Sequence, residues 1–397
     1  MESALVPVDS VTRLYGAALA LGNVLTCCYW LSARVELYLD KNAAAICWPP
    51  FDTCADWRFL DSRGIVAAIL VLLCVSATNA ILFTKRETAR SAYWLLWLST
   101  AYKVSILAHD YRLVLNQHYM LLWVTLCFLL MPSRRQSLQY LIVLFYFWAG
   151  LLKFNQEWLS GAALYGRKPF GLPDAWIPAA CYYVVVIEVA VVWGLLSTRQ
   201  VIFWGSLAQL VLFHVGSFWV VGFFYPLLMF LILSIFVLNR LSLPIQVSFA
   251  NLTRFRERPS TYALLCGFCV LQAIPRLQST DSAITGEGRI FALNMFDAPV
   301  QCVATASLHW DEGVTTEAIR VPFLQPRIGC DPIVYRQAAM NLCRTSIAAR
   351  PVIDVDLTLR SRRSSWESMV TIVDVKSLCS NPVGYNMFRH NPWIRAR

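Results

Sequence analysis

The sequence predicts an α-helical polytopic membrane protein, with about nine transmembrane helices and a small, mostly β domain outside the membrane at its C-terminal end. Hydrophobic residues make up 57% of the 397 residues and charged residues 15%, whereas soluble domains have roughly 45–50% and about 25%. This composition excludes a soluble monomer, a disordered chain, a coiled coil and a collagen-like fibre. Long apolar runs end near residue 275, and strand-like alternation follows. We therefore predict a transmembrane domain over 1–275 and an extramembrane domain over 276–397.

Nine apolar runs come close to the length that crosses a bilayer, which is about 20 residues at 1.5 Å per residue. The fourth and fifth runs are short, so these helices are expected to tilt or to extend beyond the hydrocarbon. The first run is too long for a cleavable signal peptide, and no A-x-A site follows it. The predicted spans are 14–37, 64–83, 91–108, 116–131, 138–154, 177–197, 201–218, 220–238 and 259–275.

Lys and Arg are unevenly distributed between the loops on the two sides of these nine helices. Membrane proteins keep an excess of Lys and Arg on the cytoplasmic side, which explains the net charge of +10. Nucleic acid is therefore not an expected partner, since no zinc finger or RNP motif is present. The bias places the N-terminus inside and the C-terminal domain in the lumen or periplasm. The basic loops carry Arg13, Lys85, Arg86, Arg90, Arg134, Arg135, Arg199, Arg240, Arg254, Arg256 and Arg258, and the alternate loops carry Lys41, Arg58, Arg63, Arg112, Arg167 and Lys168 among acidic residues.

The 13 cysteines divide between apolar runs and polar segments. Those in apolar runs are expected to behave as small hydrophobic residues, and the C-x-x-C of Cys266 and Cys269 is interpreted as helix packing. The even number in polar segments predicts disulfides in an oxidising compartment. This agrees with the orientation that the charges predict, but the spacing leaves the pairing open. The cysteines of the polar segments are Cys47, Cys54, Cys302, Cys330, Cys343 and Cys379.

Residues 276–397 predict a small β-rich domain. Segments of alternating apolar and polar residues are typical of half-buried strands. A helix is predicted over Asp331–Ile347, with Asp331 as its N-cap and Pro332 at its first position. The predicted strands are Arg289–Phe296, Val303–Trp310, Val352–Leu359 and Met369–Val375.

Several ionisable residues fall in or near the apolar runs, where a charged group costs several kcal/mol. In the predicted arrangement, Lys153, His118 and His214 all lie near the depth of the outer leaflet. A desolvated Lys can act as a base near neutral pH, and two imidazoles could donate to a developing oxyanion. Lys103 lies in the outer part of the third run, and Glu188 lies at mid-depth, where a partner cation is expected.

Each of these residues also has a structural interpretation. Lys153 could extend to the membrane interface, His118 could be an interfacial residue, and His214 could be a hydrogen-bonded core histidine. Equal depth does not show that the three side chains meet in the plane of the membrane. A metal site is not expected, because the histidines and Asp110 lack the spacing of zinc ligands.

Residues 146–161 read YFWAGLLKFNQEWLSG, an aromatic–Ala–Gly–x–x–Lys pattern followed by Trp–x–x–Gly. This stretch resembles the vitamin K-dependent γ-carboxylases and their bacterial relatives with the horizontally transferred transmembrane (HTTM) domain. Asn116–Tyr119 resembles the Asn-Asn-His segment of that family, and Phe213–His214 followed by Gly222–Phe224 resembles its Phe-His segment. The three segments occur in the family's order, over roughly the first 240 residues.

The chain also departs from that family. Gln117 stands where the carboxylases have a second Asn, and the chain is little more than half the length of a full carboxylase. The stretch Ile284–Asp297 looks closer to the short HTTM proteins, whose activity is generally unassigned.

The resemblance implies carboxylase-like chemistry on a reduced, vitamin K-like quinone. Lys153 would be the base that deprotonates this cofactor, His118 would assist, and His214 would polarise or position a reacting group. In the carboxylases, oxygen then turns the quinone into a strong base that removes the γ-proton of a glutamate, and CO2 adds to the carbanion. The residues expected to contact the cofactor are Asn116, Gln117 and Trp158.

Three functional hypotheses follow. The first is a membrane enzyme that uses Lys153 and the two histidines on a lipid-soluble cofactor. The second is a non-catalytic subunit of a larger membrane complex, whose aromatic helices and basic loops contact lipids such as cardiolipin or neighbouring subunits. The third is a transporter or lipid-binding protein, which ranks last because no inverted repeat or pair of broken helices is visible.

Overall fold

The structure is a computed structural model, and it combines a helical bundle with a C-terminal domain built on an antiparallel sheet. The residues it describes are 9–51, 53–164, 167–242, 259–277, 281–293, 300–324, 328–344, 346–347, 350–363 and 368–395.

Helices occupy most of the chain up to residue 277. Nine of those described there are long, and two short helices lie in the connections. The long helices are α1 (Ser10–Ser32), α3 (Ser62–Thr84), α4 (Ala89–Ala108), α5 (Asn116–Leu130), α6 (Arg134–Leu152), α8 (Ile177–Val189), α9 (Gln200–Val221), α10 (Phe224–Ser242) and α11 (Pro259–Leu277). The short ones are α2 (Glu36–Leu39) and α7 (Gln156–Leu159), and a further short helix, α12 (Ser282–Thr285), follows later in the chain.

Each predicted apolar run coincides with one long helix, but the helices are not equivalent. Six, counted within the described ranges, are long and apolar enough to cross a membrane: α1, α3, α8 with its flanking turns (Asp174–Leu196), α9, α10 and α11. The helix α5 has 15 residues, short of the roughly 20 that a span needs. The helices α4 and α6 have 20 and 19 residues but carry more polar side chains.

Local sequence signals explain where several helices begin and end. Asp9 caps α1 by accepting a hydrogen bond from Thr12 N at 2.9 Å, and Asp61 caps α3 by accepting from Gly64 N at 2.9 Å. The helix α9 stops at Gly222, whose φ of +74° a residue with a Cβ rarely adopts. Because α10 begins at Phe224, this turn sets α10 directly beside α9.

The bundle has a continuous apolar core. Seven of the nine long helices each contribute two or more buried residues to it, whereas α3 and α8 contribute one each, Phe83 and Ile187. Tyr15 and Phe128 are examples of large side chains buried there. On the other side of the helices, large apolar residues face outward, such as Val201 and Leu241 with exposed fractions of 85% and 74%. This outward apolar surface is what a lipid environment accommodates and water does not.

The C-terminal domain contains a four-stranded antiparallel sheet in the order β2-β1-β5-β6. The helix α13 (Pro332–Arg344) packs on one face of the sheet and closes a second apolar core. The strands are β1 (Val300–Trp310), β2 (Gly313–Ala318), β5 (Asp354–Arg363) and β6 (Val370–Val375), with a separate short pair, β3 (Ser346–Ile347) and β4 (Arg350–Pro351).

The predicted domain content is confirmed in outline and corrected in detail. The helix begins at Pro332 as predicted, and the Asp331 side chain accepts from Ile333 N at 3.2 Å. It ends at Arg344 and not at Ile347, because Ser346–Ile347 pairs as β3 with β4. The strand predicted over Arg289–Phe296 is wrong in its first part, because Arg289–Phe291 forms a 3-10 turn that packs against α11; residues 294–296 lie outside the described residues. The strand β2 was not predicted, since its six exposed residues show no apolar alternation.

All six cysteines of the polar segments are paired, which confirms the disulfide prediction. The bonds are Cys47–Cys54, Cys302–Cys330 and Cys343–Cys379. The C-terminal domain sits on one end of the bundle, where Tyr111 Oη donates to Asp331 Oδ2 at 3.0 Å and Asn341 Nδ2 donates to Ala45 O at 2.7 Å.

Candidate functional site

Lys153 and Glu188 form a buried ion pair between α6 and α8. Lys153 directly follows the last residue of α6, and its Nζ donates to Glu188 Oε2 at 2.5 Å and to Ala149 O at 3.4 Å. The side chains are 2% and 0% exposed. The second carboxylate oxygen, Glu188 Oε1, has no hydrogen-bond partner among the residues that the structure describes. The partner cation expected for Glu188 is therefore Lys153.

Gly150 allows α6 and α8 to approach closely enough for this pair. A Cβ at position 150 would lie 2.7 Å from Val189 Cγ2 and 2.9 Å from Glu188 Cβ. Such distances are shorter than real Cβ contacts, so any larger residue would separate the two helices. The glycine of the YFWAGLLK motif is thus explained by helix packing next to the ion pair.

Tyr146 and His214 lie beside the pair and join it to α9 and α10. Tyr146 Oη lies 2.5 Å from His214 Nε2, and the His214 ring lies 5.3 Å from the Tyr225 ring. The charge of Lys153 acts on His214, and the charge of Glu188 acts on both tyrosines. Four helices therefore contribute to one cluster of buried polar side chains, which we call the Lys153 cluster: Tyr146, Lys153, Glu188, His214 and Tyr225.

His118 lies in the first turn of α5, and its hydrogen bond defines its tautomer. Trp30 Nε1 donates to His118 Nε2 at 3.0 Å, and an indole N–H can only donate. Nε2 is therefore the unprotonated nitrogen, and Nδ1 carries the hydrogen. Nδ1 is buried and has no partner within the described ranges, so His118 presents an unused donor.

The structure brings two of the three predicted catalytic residues into one cluster and places the third beside it. Lys153 and His214 belong to the Lys153 cluster, whereas His118 contacts neither. Both histidines pack against the start of α10. The His118 ring lies 5.4 Å from the Phe224 ring, and the His214 ring packs against the next residue, Tyr225. The predicted depth of these residues in the membrane does not show how far apart they lie in the plane of the membrane.

The three residues predicted to contact the cofactor also lie in different parts of the structure. Trp158 belongs near the Lys153 cluster, since its ring centroid lies 5.3 Å from Lys153 Nζ and its Nε1 donates to Cys181 O at 3.0 Å. Gln117 is buried, and its Oε1 has no described partner. Asn116 lines a cavity of about 50 Å³ at the base of the C-terminal domain, together with Tyr119 and Asp331.

The unpaired buried atoms fit the chemistry of a hydroquinone, which has two oxygens that donate and accept hydrogen bonds. Glu188 Oε1 can accept from a hydroxyl, and His118 Nδ1 can donate to an oxygen. His214 Nδ1 is a further buried ring nitrogen without a described partner. A metal is a poorer fit, since no group of three or more His, Cys, Asp or Glu residues is placed to hold one in the described ranges.

The site residues predicted from the sequence do not include Glu188, which is named there only as a buried acid that needs a partner cation. They also do not include Tyr146 or Trp30. Glu188 is an isolated acid in an apolar run, which was the available signal. Tyr146 stands at the start of the motif that contains Lys153, two helical turns away, so the spacing puts both on one face of α6. Trp30 had no signal, because aromatic residues occur throughout these helices.

Together, the fold and these side chains define a helical protein with membrane-type helices, buried ionisable groups and a disulfide-bonded C-terminal domain. Comparison of the chain with protein-family models, with curated proteins and with solved structures found no match.

Proposed function

We propose that the chain is a membrane enzyme that removes a proton from a lipid-soluble hydroquinone, with the Lys153–Glu188 pair as the proton acceptor. The observation that carries this proposal is a buried ion pair in which one carboxylate oxygen, Glu188 Oε1, has no described partner. A buried pair is a costly way to stabilise a fold, and perturbed ionisable groups are concentrated at functional sites.

In this proposal Glu188 and Lys153 have different roles. A reduced quinone, when bound, supplies a weakly acidic hydroxyl and two electrons. Glu188 Oε1 accepts the hydroxyl proton, while Lys153 holds Oε2 and keeps a positive charge next to the oxygen that becomes anionic. The sequence predicted Lys153 as the base, but in this proposal Lys153 acts through its carboxylate partner. His118 donates from Nδ1 across the start of α10, and the Tyr146–His214 hydrogen bond offers a route for the proton to leave.

The proposal includes an HTTM-like arrangement of nine spans, with the N-terminus inside and the C-terminal domain in the lumen or periplasm. The loop charges support this orientation, and so do the three disulfides, which all lie on the side predicted to be oxidising. The γ-carboxylase resemblance rests on the motifs around His118, Lys153 and His214.

The test compares wild type with Lys153→Met, Glu188→Gln and the double variant, purified and reconstituted in lipid nanodiscs. The appearance of quinone absorbance is followed with reduced naphthoquinones and benzoquinones as probes and with dissolved oxygen as the acceptor of two electrons and two protons, so that the products are quinone and hydrogen peroxide. Each single variant is expected to lose about 10²- to 10⁴-fold in rate, the usual contribution of a general base. Lys168→Met removes an exposed lysine and should leave the rate unchanged.

The double variant separates chemistry from folding. Each single variant leaves one buried partner without its hydrogen bond or charge, which destabilises the protein, whereas the double variant has no unpaired charge. We expect the double variant to recover thermal stability and to remain inactive. Wild-type turnover by the double variant, or an inactive wild type with every quinone tested, would rule the proposal out.

A second candidate function is a non-catalytic subunit of a membrane complex, with lipids and other subunits as partners. The observation in its favour is that Lys153 and Glu188 satisfy each other's charge without a substrate. A native gel of mildly solubilised membranes distinguishes the two. Migration as a small species favours the enzyme, and co-migration with a large complex, unchanged by the double substitution, favours the subunit.

A further inference from the structure

A second lysine is buried in the bundle, away from the Lys153 cluster. Lys103 on α4 is 0% exposed, and its Nζ donates to Asn23 Oδ1 on α1 at 2.7 Å. No Asp or Glu in the described part of the chain forms an ion pair with Lys103, whereas the buried cations Arg58, Arg112 and Lys153 each pair with a carboxylate. A buried ammonium without an anion is costly in hydrocarbon, so this one requires an explanation.

Asn23 places a donor without a described partner next to Lys103. Because Lys can only donate, Asn23 must accept with Oδ1, which leaves Asn23 Nδ2 as a donor. Nδ2 is buried and has no partner within the described ranges. One positive charge and one neutral donor therefore lack an acceptor.

We propose that Lys103 and Asn23 bind the carboxylate group of an organic acid inside the bundle. A carboxylate carries one negative charge, which balances the one ammonium, and its two oxygens provide lone pairs for both donors. The positive charge of Lys103 repels a metal ion, and no group of three or more His, Cys, Asp or Glu residues is placed to hold one in the part of the chain that the structure describes. A phosphate dianion would leave an uncompensated negative charge. The carboxylate can come from a fatty acid in the bilayer or from a small water-soluble acid.

This inference does not rest on the proposed function, because Lys103 and Asn23 take no part in the proton transfer and the test measures binding. Full-length protein in nanodiscs is titrated with palmitate or with butyrate, each labelled with ¹³C at the carboxyl carbon. Carboxyl ¹³C NMR gives the bound signal, and the titration gives Kd. We expect saturable binding to wild type, unchanged in Lys168→Met and largely retained in Lys103→Arg.

Two variants remove the site in different ways. Lys103→Met removes the charge, and we expect affinity to fall about 10- to 100-fold, as for a lost charge-assisted hydrogen bond. Asn23→Asp places a carboxylate 2.7 Å from Lys103 Nζ, where the residue itself replaces the ligand. We expect this variant to be folded, to be at least as stable as wild type and to have lost binding.

The outcomes identify the source of the carboxylate or overturn the site. Binding of palmitate alone assigns a lipid acid, and binding of butyrate as well assigns a site open to small acids. Absence of saturable binding of either acid to wild type, or wild-type affinity in Asn23→Asp, overturns the proposal. A loss of turnover without a change in carboxylate binding would bear on the proposed function and leave this site standing.

Discussion

Asp110 shows how a single carboxylate organises a connection in this protein. Its Oδ2 accepts from Arg58 Nη2 at 2.5 Å and from Arg112 Nη2 at 2.8 Å, and its Oδ1 accepts from Arg112 Nε at 2.9 Å. All three side chains are at most 4% exposed. Other guanidinium N–H groups donate to backbone carbonyls, among them Tyr38 O and Ala44 O. The loop between α2 and α3 is thereby fixed to the connection between α4 and α5.

We expect Asp110→Asn to destabilise the protein by about 3–5 kcal/mol, because it leaves two buried guanidiniums without a counter-charge. The matched control is Asp174→Asn, since Asp174 is 82% exposed and pairs with Lys168 at the surface; such a pair contributes at most about 1 kcal/mol. Thermal unfolding of both variants in nanodiscs, followed by tryptophan fluorescence, compares them. Equal melting temperatures for the two variants would contradict the structural role of Asp110.

Asp354 gives the C-terminal domain a dependence on pH. Burial alone would raise the pKa of its carboxyl, but hydrogen bonds from the Ser380 hydroxyl and from the backbone N–H groups of Val355 and Cys379 outweigh burial and lower that pKa below its ordinary 3.8. Because the pKa is lower in the folded state, the stabilisation is complete above pH 3.8 and is lost as the pH falls through the lowered value.

We therefore expect wild type to lose protection of β5 and β6 below about pH 4, measured by hydrogen exchange and mass spectrometry on the full chain. Asp354→Asn removes the titrating group, so at each acidic pH it should lose less protection, relative to its own value at neutral pH, than wild type does. Asp311→Asn, in the exposed turn between β1 and β2, is the control and should follow wild type. A wild-type pH profile in Asp354→Asn would show that another group is responsible.

At the scale of single elements, close packing between helices depends on a few small residues. Gly150 and Gly205 both lie inside helices, α6 and α9, but a Cβ at Gly150 would collide with α8, whereas a Cβ at Gly205 would have no heavy atom within 4 Å. The two glycines therefore separate the effect of packing from the effect of helix propensity.

We expect Gly150→Ala to destabilise the protein by about 1–3 kcal/mol, the usual cost of overpacking, and to weaken the Lys153–Glu188 contact by separating α6 from α8. Gly205→Ala should be neutral or stabilising by up to about 1 kcal/mol, because Ala favours a helix. Thermal unfolding measures both effects. If Gly150→Ala were as stable as Gly205→Ala, the close approach of α6 and α8 would be disproved.

At the scale of the whole molecule, two apolar cores are joined by a polar contact surface. The core of the bundle and the core under the sheet are separate clusters. Between them, Tyr119 Oη donates to Phe291 O at 2.5 Å and Leu293 N donates to Gln272 Oε1 at 2.7 Å. The C-terminal domain is therefore positioned by specific hydrogen bonds on one end of the bundle.

The proposed nine spans place the two chain ends on opposite sides of the membrane. An epitope tag before residue 1 should resist an external protease in sealed cells or vesicles of native orientation, and a tag after residue 397 should be digested. Permeabilisation with detergent should expose both tags and serves as the control. Tags that are digested together or protected together would require an even number of spans.

Features that depend on local composition could be predicted from the sequence. The nine apolar runs all form long helices and Pro332 begins its helix, since each of these follows from residues close together in the chain. The even number of polar-segment cysteines predicted that they pair but not with which partner, because Cys302–Cys330 and Cys343–Cys379 join residues 28 and 36 positions apart. The strand β2 could not be predicted from the sequence, because an exposed edge strand needs no alternation of apolar and polar residues.

Which side chains meet depends on how the helices pack. Lys153 and Glu188 are 35 residues apart, and the same sequence pattern would also have allowed either of them to face lipid. His118 has the same predicted depth as Lys153 and His214, but its ring packs against Phe224, whereas the His214 ring packs against Tyr225. The physical reason is that hydropathy along the chain reports how deep a residue lies. The lateral position of each helix is set by packing between distant residues, such as the contact that Gly150 allows between α6 and α8.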